Sequence, residues 1–113
     1  MKNYIKINNK IKPFSNKISV SSDKSISIRC VLLASQAIGT SKIFNLLESE
    51  DVINSLRSIK KLGVYYKKYR DYYEIRGTGL NSYVTNKKIK IYAGNSGTLA
   101  RLILGLLVNS KNT

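Results

Sequence analysis

Helix-like and strand-like patterns of apolar residues alternate along this chain, and only short polar segments separate them. In residues 52–62 the apolar positions recur every three or four residues, as they do along one side of a helix. Residues 64–68 and 72–76, which follow directly, are instead rich in aromatic and β-branched residues, which favour strands. Because alternating helices and strands with short connections are typical of layered folds, we predict an α/β or α+β fold.

The same patterns locate the other predicted elements. Strands are predicted at residues 4–7, 18–20, 42–44 and 88–92, and a turn at residues 69–71 joins the two strands described above into a hairpin. Helices are predicted at residues 26–38, 52–62 and 99–108. Gly39 and Gly63 stand where glycines commonly end a helix. The last helix is apolar on nearly every side, so we expect it to be buried.

The composition excludes several kinds of site. The 113 residues include no histidine, so the chain cannot form a Ser-His-Asp or Cys-His catalytic group, or a His-rich metal site, by itself. Cys30 is the one cysteine and cannot form an internal disulfide, which favours a cytoplasmic location. The longest apolar stretch, residues 102–108, is interrupted by Gly105 and is far shorter than the ~20 residues of a membrane span. We therefore expect no membrane partner.

The net charge is strongly positive, because 20 Lys and Arg residues against 6 Asp and Glu residues give +14. One interpretation is an anionic partner such as a nucleic acid or a phosphate ester. The other is compositional drift, because the chain is crowded with Lys, Asn, Ile and Tyr, which A/T-rich codons encode. A small basic nucleic-acid-binding domain is the alternative from another functional class. Against it, most of the tyrosines fall within residues 65–73, without the glycine–aromatic signature of common RNA modules, so we expect no nucleic-acid partner.

Two segments, residues 20–29 and 93–101, share one design: a strand pattern or its end, a polar turn and the start of a helix. A helix N-terminus offers unpaired N–H groups and a partial positive charge, so it can bind an anion. In the first segment Lys24 adds a positive charge and Ser25 adds a hydroxyl donor. Arg29 follows Ser25 by about one helical turn, so both side chains can face the same ligand.

In the second segment, Gly94 and Gly97 allow the backbone to approach a ligand closely, and Asn95 and Thr98 are polar groups able to orient it. Taken singly, each of the two turns is also explained as a helix cap. The pair is more specific, because each combines a helix N-terminus with a downstream arginine, which in the second segment is Arg101. Together they indicate a site for an anionic ligand.

Three segments resemble the 5-enolpyruvylshikimate-3-phosphate synthase family, the 3-phosphoshikimate 1-carboxyvinyltransferases. They are Asp-Lys-Ser-Ile-Ser-Ile-Arg at residues 23–29, Asn-Leu-Leu-Glu-Ser-Glu-Asp-Val at 45–52 and Gly-Asn-Ser-Gly-Thr-Leu-Ala-Arg at 94–101. Their order and spacing fit that family, and the resemblance covers nearly the whole chain. The sister family, the UDP-N-acetylglucosamine enolpyruvyl transferases, usually has Lys-Asn where this chain has Lys24-Ser25. A fragment of that sister kind is the alternative among enolpyruvyl transferases.

The resemblance implies an enolpyruvyl transferase fold, in which repeated βαβαββ units build two domains shaped as inside-out α/β barrels. Residues 1–20 would belong to the other, C-terminal domain, and residues 21–113 would begin the N-terminal domain, incomplete in this chain. The implied reaction transfers the enolpyruvyl group of phosphoenolpyruvate to the 5-hydroxyl of shikimate 3-phosphate and releases phosphate, on the pathway to chorismate and aromatic amino acids. It implies no cofactor and no metal, and a full-length monomer.

The resemblance also implies roles for individual residues. Lys24 would contact both substrates, and Ser25 and Arg29 would bind shikimate 3-phosphate. Gly97 would lie against phosphoenolpyruvate, where the inhibitor glyphosate also sits. The residues expected to support this turn are Asn95, Thr98 and Arg101, and Asp51 is expected to be a structural partner. The family's proton-transfer residues would lie beyond residue 113, so no catalytic residue is assigned and the isolated chain is expected to be inactive, whether as a fragment or as a decayed remnant.

Overall fold

The computed structural model describes residues 3–83 and 88–110, and these form a mixed arrangement of helices and strands. The elements follow the chain in the order α1 (Lys24–Gln36), β1 (Ile38–Phe44), α2 (Glu50–Lys61), β2 (Tyr65–Lys68), β3 (Tyr72–Thr78) and α3 (Gly97–Leu107). The three predicted helices are therefore present, and so is the alternation of helix and strand on which the predicted fold class rested.

The three strands form one antiparallel sheet in the order β1-β3-β2. The predicted hairpin is confirmed: β2 and β3 are adjacent, and the N–H of Tyr69 donates to the carbonyl of Tyr72 at 2.8 Å to close the turn. At the other edge of β3, β1 pairs from Ile38 opposite Thr78 to Phe44 opposite Tyr72, so β1 begins four residues before the predicted segment 42–44. The sheet gives the helices one apolar face on which to pack.

Helix α1 packs against α2, β3 and α3, and these contacts form the core. The most deeply buried apolar side chains are Ile28, Val31, Val52, Leu56, Ile59, Val64, Ile75 and Leu99. The apolar side chains whose spacing predicted α2 are the ones that are buried. They pack against α1 and the sheet, while the other side of α2 carries charge. Burial of this amphipathic face is the main favourable contribution to the fold.

The helix ends follow from capping groups. Asp23 accepts the N–H of Ile26 at 2.7 Å, so α1 begins at Lys24, two residues before the predicted start. Gly63 has φ +89°, and the N–H groups of Gly63 and Val64 donate to carbonyls in the last turn of α2, so the predicted stop is confirmed. The same prediction for Gly39 is wrong. Gly39 lies inside β1, and α1 ends before it with Ala37 in an extended conformation.

Three predicted strands are not formed. Residues 3–23 contain no helix or strand, and their apolar side chains are exposed, Ile5 at 93% and Val20 at 72%, so the predictions at 4–7 and 18–20 are wrong. Residues 88–92 keep the predicted alternation, with exposed and half-buried side chains in turn, but they are not a strand either. A strand needs a neighbour for its backbone hydrogen bonds, and the described residues provide none for residues 4–7, 18–20 or 88–92.

Helix α3 differs from the prediction in its burial. Only Leu99 and Ile103 are buried, on the side that faces α1. Leu104 is 66% exposed and Val108 is 78% exposed, and Leu33 on α1 is 68% exposed. The apolar character of α3 was correctly recognised, but among residues 3–83 and 88–110 nothing covers its second side. The chain therefore presents an apolar surface along α1 and α3 of the kind that drives association.

Candidate functional site

The beginning of α1 lies against the beginning of α2. Lys24, the first residue of α1, places its Nζ 2.8 Å from Oδ2 of Asp51 in the first turn of α2. Just before α2, the N–H of Leu47 donates to the hydroxyl of Ser27 at 3.1 Å. These two contacts bring the two helix N-termini side by side.

The second polar turn lies against the same end of α2. Gly94 has φ +60°, and a Cβ at this position would be 2.8 Å from Nδ2 of Asn54 and 3.9 Å from Oε1 of Glu50. A side chain therefore has neither the backbone conformation nor the space it needs there. After this turn, Ser96 caps α3 by accepting the N–H of Leu99 at 3.1 Å, which makes Gly97 the first residue of the helix.

The N-terminal turn of α2 therefore touches both segments singled out in the sequence. Lys24 meets it through Asp51, and Gly94 meets it through Glu50 and Asn54. The N-termini of all three helices consequently lie at one end of the fold. Each contributes the partial positive charge of a helix N-terminus, which favours anions, and the carboxylates of Asp23, Glu50 and Asp51 lie at the same end.

Asp51 holds Lys24 in a charged state at this end. The hydrogen bond to the Asp51 carboxylate and its negative charge raise the pKa of Lys24 above its ordinary value. The Lys24 side chain is nevertheless 51% exposed, whereas that of Asp51 is only 14% exposed. The ammonium group is thus oriented by a mostly buried carboxylate and remains accessible from solvent. Asp51 thus pairs with Lys24, and its structural role in the site stays a prediction.

The other residues of the first segment lie further along α1. Ser25 is half-buried in the first turn. Arg29 is exposed one turn later and lines a cavity of about 220 Å³ between α1 and α3, whose other walls are apolar. Lys24 therefore contacts α2, whereas Arg29, on the same helix, lies at the cavity between α1 and α3.

The residues of the second segment surround the start of α3. A Cβ on Gly97 would meet nothing within 4 Å, so the space beside this glycine is open in the chain. Asn95 is exposed in the turn and Thr98 is half-buried in the first helical turn. Arg101 is exposed one turn further along α3. The open side of Gly97 is consistent with a position that faces a ligand, whereas Gly94 is fixed by its neighbours.

Sequence reasoning did not single out Asn54 or Glu50. Asn54 is 3% exposed, and its Nδ2 has no hydrogen-bond partner among the described residues. The available signal was its position: an amide one turn after Glu50, among the apolar residues Val52, Ile53 and Leu56 of the predicted helix. A buried amide in an amphipathic helix calls for an explanation in terms of a partner.

The family model described as EPSP synthase (3-phosphoshikimate 1-carboxyvinyltransferase) matches residues 8–113. The chain belongs to the EPSP synthase family. Among curated relatives, the 3-phosphoshikimate 1-carboxyvinyltransferase of Streptococcus mutans is 38% identical over 99 residues, which are 88% of this chain and 23% of that protein. The corresponding protein of Oceanobacillus iheyensis is 41% identical over 90 residues, which are 80% of this chain and 21% of that protein.

Solved structures of the EPSP synthase family share the fold. The EPSP synthase from Acinetobacter baumannii superposes with a TM-score of 0.72 at 32% identity, over 81% of this chain and 21% of that one. The mixed α/β fold class predicted from the resemblance is thereby confirmed. The chain spans between a fifth and a quarter of the length of the relatives that it matches.

Within residues 3–83 and 88–110, no helix is both long enough and apolar enough to cross a membrane. The same part of the chain contains no group of three or more His, Cys, Asp and Glu side chains arranged to hold a metal ion.

Proposed function

We propose that this chain forms part of the substrate site of an EPSP synthase. That enzyme transfers the enolpyruvyl group of phosphoenolpyruvate to the 5-hydroxyl of shikimate 3-phosphate and releases phosphate. The observation that carries the proposal is the meeting of three helix N-termini around the Lys24–Asp51 pair. Both substrates carry several negative charges, and binding them requires cations and backbone N–H donors at one place.

Lys24, Ser25 and Arg29 bind shikimate 3-phosphate in this proposal. Lys24 and Ser25 are the first two residues of α1, where the partial positive charge of the helix N-terminus favours a phosphate. Arg29, one turn later, extends the contact along α1 toward the rest of the substrate. Its guanidinium can donate two parallel hydrogen bonds to a phosphate or carboxylate, which Lys24 cannot do.

Gly97 lies against phosphoenolpyruvate, and Lys24 contacts this substrate as well. The open space beside Gly97 supports this placement, because a ligand can approach the backbone there without meeting a side chain. Asn95, Thr98 and Arg101 shape and support the turn. Gly94 fixes the turn against α2, so the position of Gly97 depends on a contact that involves no substrate.

The chain contributes binding rather than proton transfer. Lys24 and Asp51, which meet at the helix N-termini, are paired with each other, and the sequence offers no histidine. We assign no catalytic acid or base and no cofactor here, and we expect the chain by itself to be inactive.

Residues 1–20 belong to the C-terminal domain in this proposal and residues 21–113 to the N-terminal domain. The exposure of residues 3–20 supports this division. We place the enzyme in the cytoplasm as a monomer, and the lone Cys30 supports the compartment.

A chimaera tests the proposal. In it, this chain replaces the matching segment of the Streptococcus mutans relative, and phosphate release from phosphoenolpyruvate is measured with shikimate 3-phosphate. We expect turnover by the chimaera and none by the chain alone. Lys24→Met should abolish most of it, whereas Lys6→Met, which removes the same charge from an exposed segment, should not. Equal activity of the two variants would contradict the assignment of Lys24.

A further inference from the structure

Ser27 is a buried polar residue on the side of α1 that carries Lys24. It is 4% exposed and follows Lys24 by three residues, so the two side chains lie one above the other on the helix. Most of the other buried residues of α1 are apolar, and an alanine would fit this position without a polar group to satisfy. A hydroxyl is expected at such a position only where it has hydrogen-bond partners.

The Ser27 hydroxyl is the middle of a chain of two hydrogen bonds. It donates to the carbonyl of Asp23 at 2.7 Å, and its oxygen accepts the N–H of Leu47 at 3.1 Å. Since its hydrogen is directed at Asp23, its lone pairs are left to face Leu47. One side chain thus joins the residue that caps α1 to the segment that leads into α2.

The segment that leads into α2 is held mainly by α1. Ser49, the residue before α2, makes no side-chain capping hydrogen bond. Lys24 and Asp51 also join the two helix N-termini, but the lysine side chain of this pair is 51% exposed. An ion pair this exposed contributes little to stability. The bond from Leu47 to the buried hydroxyl of Ser27 is therefore the firmer of the two connections.

The hydrogen bonds of Ser27 also stay in place when an anion binds at Lys24. In the proposed function Lys24 contacts both substrates, so its ammonium group is shared between Asp51 and a substrate anion. The bonds of Ser27 involve neither of these charged groups. The backbone of Lys24 can therefore keep its place beside α2 while the ammonium group changes partners, which is what a preorganised binding group requires.

We propose that Ser27 is a positioning residue of the substrate site: it holds the first turn of α1 against the start of α2 and so places Lys24 for both substrates. This inference rests on the proposed function and adds to it a residue that acts through Lys24. Without the hydroxyl, the N–H of Leu47 loses its acceptor. The start of α2, which carries Asp51, then moves away from α1.

The pKa of Lys24 in the full chain tests this role without any enzymatic activity. Asp51 is the main cause of the raised pKa, so Ser27→Ala should lower the pKa toward its ordinary value by loosening that pair. An NMR titration of the lysine side chains measures the shift, at a concentration where sedimentation shows one species. The signal that is missing from Lys24→Met identifies Lys24.

Ser35→Ala is the matched control. Ser35 is another buried serine of α1, and its hydroxyl is hydrogen-bonded to the carbonyl of Leu32 and to Tyr83 near the other end of the helix. Its loss should destabilise the chain and leave the pKa of Lys24 unmoved. Ser27→Cys keeps a side chain there but offers a weak acceptor, so it should act like Ser27→Ala. An unmoved pKa in both Ser27 variants would overturn the proposal, as would an equal fall in Ser35→Ala.

Substrate binding by the chimaera tests the same role. Calorimetric titration should show that Ser27→Ala weakens shikimate 3-phosphate and phosphoenolpyruvate about two- to tenfold, since one neutral hydrogen bond is lost. Ser35→Ala should change either affinity less than about twofold. Added to Lys24→Met, Ser27→Ala should cause no further loss, and a full further loss would overturn the proposal. If Lys24→Met binds both substrates as tightly as the unmodified chimaera, the proposed function fails, and the pKa still decides whether Ser27 positions Lys24.

Discussion

Replacement of Gly94 by alanine should destabilise the chain far more than the same change at Gly97. Gly94 has φ +60°, a left-handed conformation that costs a residue with a Cβ about 1–2 kcal/mol. The new Cβ would also lie 2.8 Å from Nδ2 of Asn54, and this amide cannot swing aside freely because its side chain is buried. Such overpacking costs about 1–3 kcal/mol, so we expect a total loss of about 2–5 kcal/mol.

Gly97 is the matched control for this prediction. A Cβ there meets nothing within 4 Å, and the residue lies in the first turn of α3. Alanine is favoured over glycine in a helix by up to about 1 kcal/mol, so Gly97→Ala should leave stability unchanged or slightly raised. Urea unfolding followed by far-UV circular dichroism measures both variants. The double variant Asn54→Ala with Gly94→Ala should recover the steric part of the loss.

Two outcomes would refute this reasoning about Gly94. One is a loss for Gly94→Ala no larger than that for Gly97→Ala. The other is additivity in the double variant, which would mean that Asn54 and the new Cβ do not meet. Either result would also remove the structural link between α2 and the second polar turn.

Three further predictions concern the site and its charges. In the chimaera, Gly97→Ala should raise the inhibition constant for glyphosate and the KM for phosphoenolpyruvate, and steady-state kinetics measures both. Unchanged inhibition would mean that Gly97 has only a structural role in the turn. Asp51→Asn should lower the pKa of Lys24 toward its ordinary value, because the contact that raises it is lost. An NMR titration of the lysine side chain measures this pKa, and an unmoved pKa would mean that the pair does not form in solution. The contacts of Glu48 with Lys68 and Tyr73 lower the pKa of Glu48. The stability that they contribute should be present above the ordinary pKa of 4.5 and lost as pH falls through the lower folded value, so Glu48→Gln should flatten the acid limb of a stability–pH curve.

The elements that the sequence predicted correctly are those specified by local chemistry. Helix α2 has an amphipathic repeat, acids in its first turn and Gly63 after its end, and these signals agree. The hairpin of β2 and β3 has a short connection between two strand-like segments. The start of α1 was misplaced by two residues because Asp23, rather than a later polar residue, caps it.

The elements that were predicted wrongly depend on partners that a local pattern does not specify. Residues 4–7, 18–20 and 88–92 alternate like strands, but alternation describes the faces of a segment and does not provide a neighbour for its hydrogen bonds. The prediction that α3 is buried was wrong for the same reason. Its apolar composition showed that it could be buried, whereas the actual cover is limited to the side that meets α1.

The candidate site was predictable in its residue types but not in its geometry. The sequence indicated Lys24 and the turn at 94–98 because a helix N-terminus with polar groups has a recognisable pattern. That both would lie against one turn of α2 depends on the contacts of Asp51 and Asn54, which are distant from them in the chain. No spacing rule connects such residues, so only the folded structure could bring them together.

The most direct test of the central claim compares the affinities of the two substrates in the chimaera. Lys24→Ala should weaken both shikimate 3-phosphate and phosphoenolpyruvate, by about 1.5–3 kcal/mol for each lost charged hydrogen bond. Ser25→Ala and Arg29→Ala should weaken mainly shikimate 3-phosphate. Calorimetric titration of each variant with each substrate measures this division. If Lys24→Ala binds both substrates as tightly as the unmodified chimaera, the meeting of helix N-termini at Lys24 is not the substrate site.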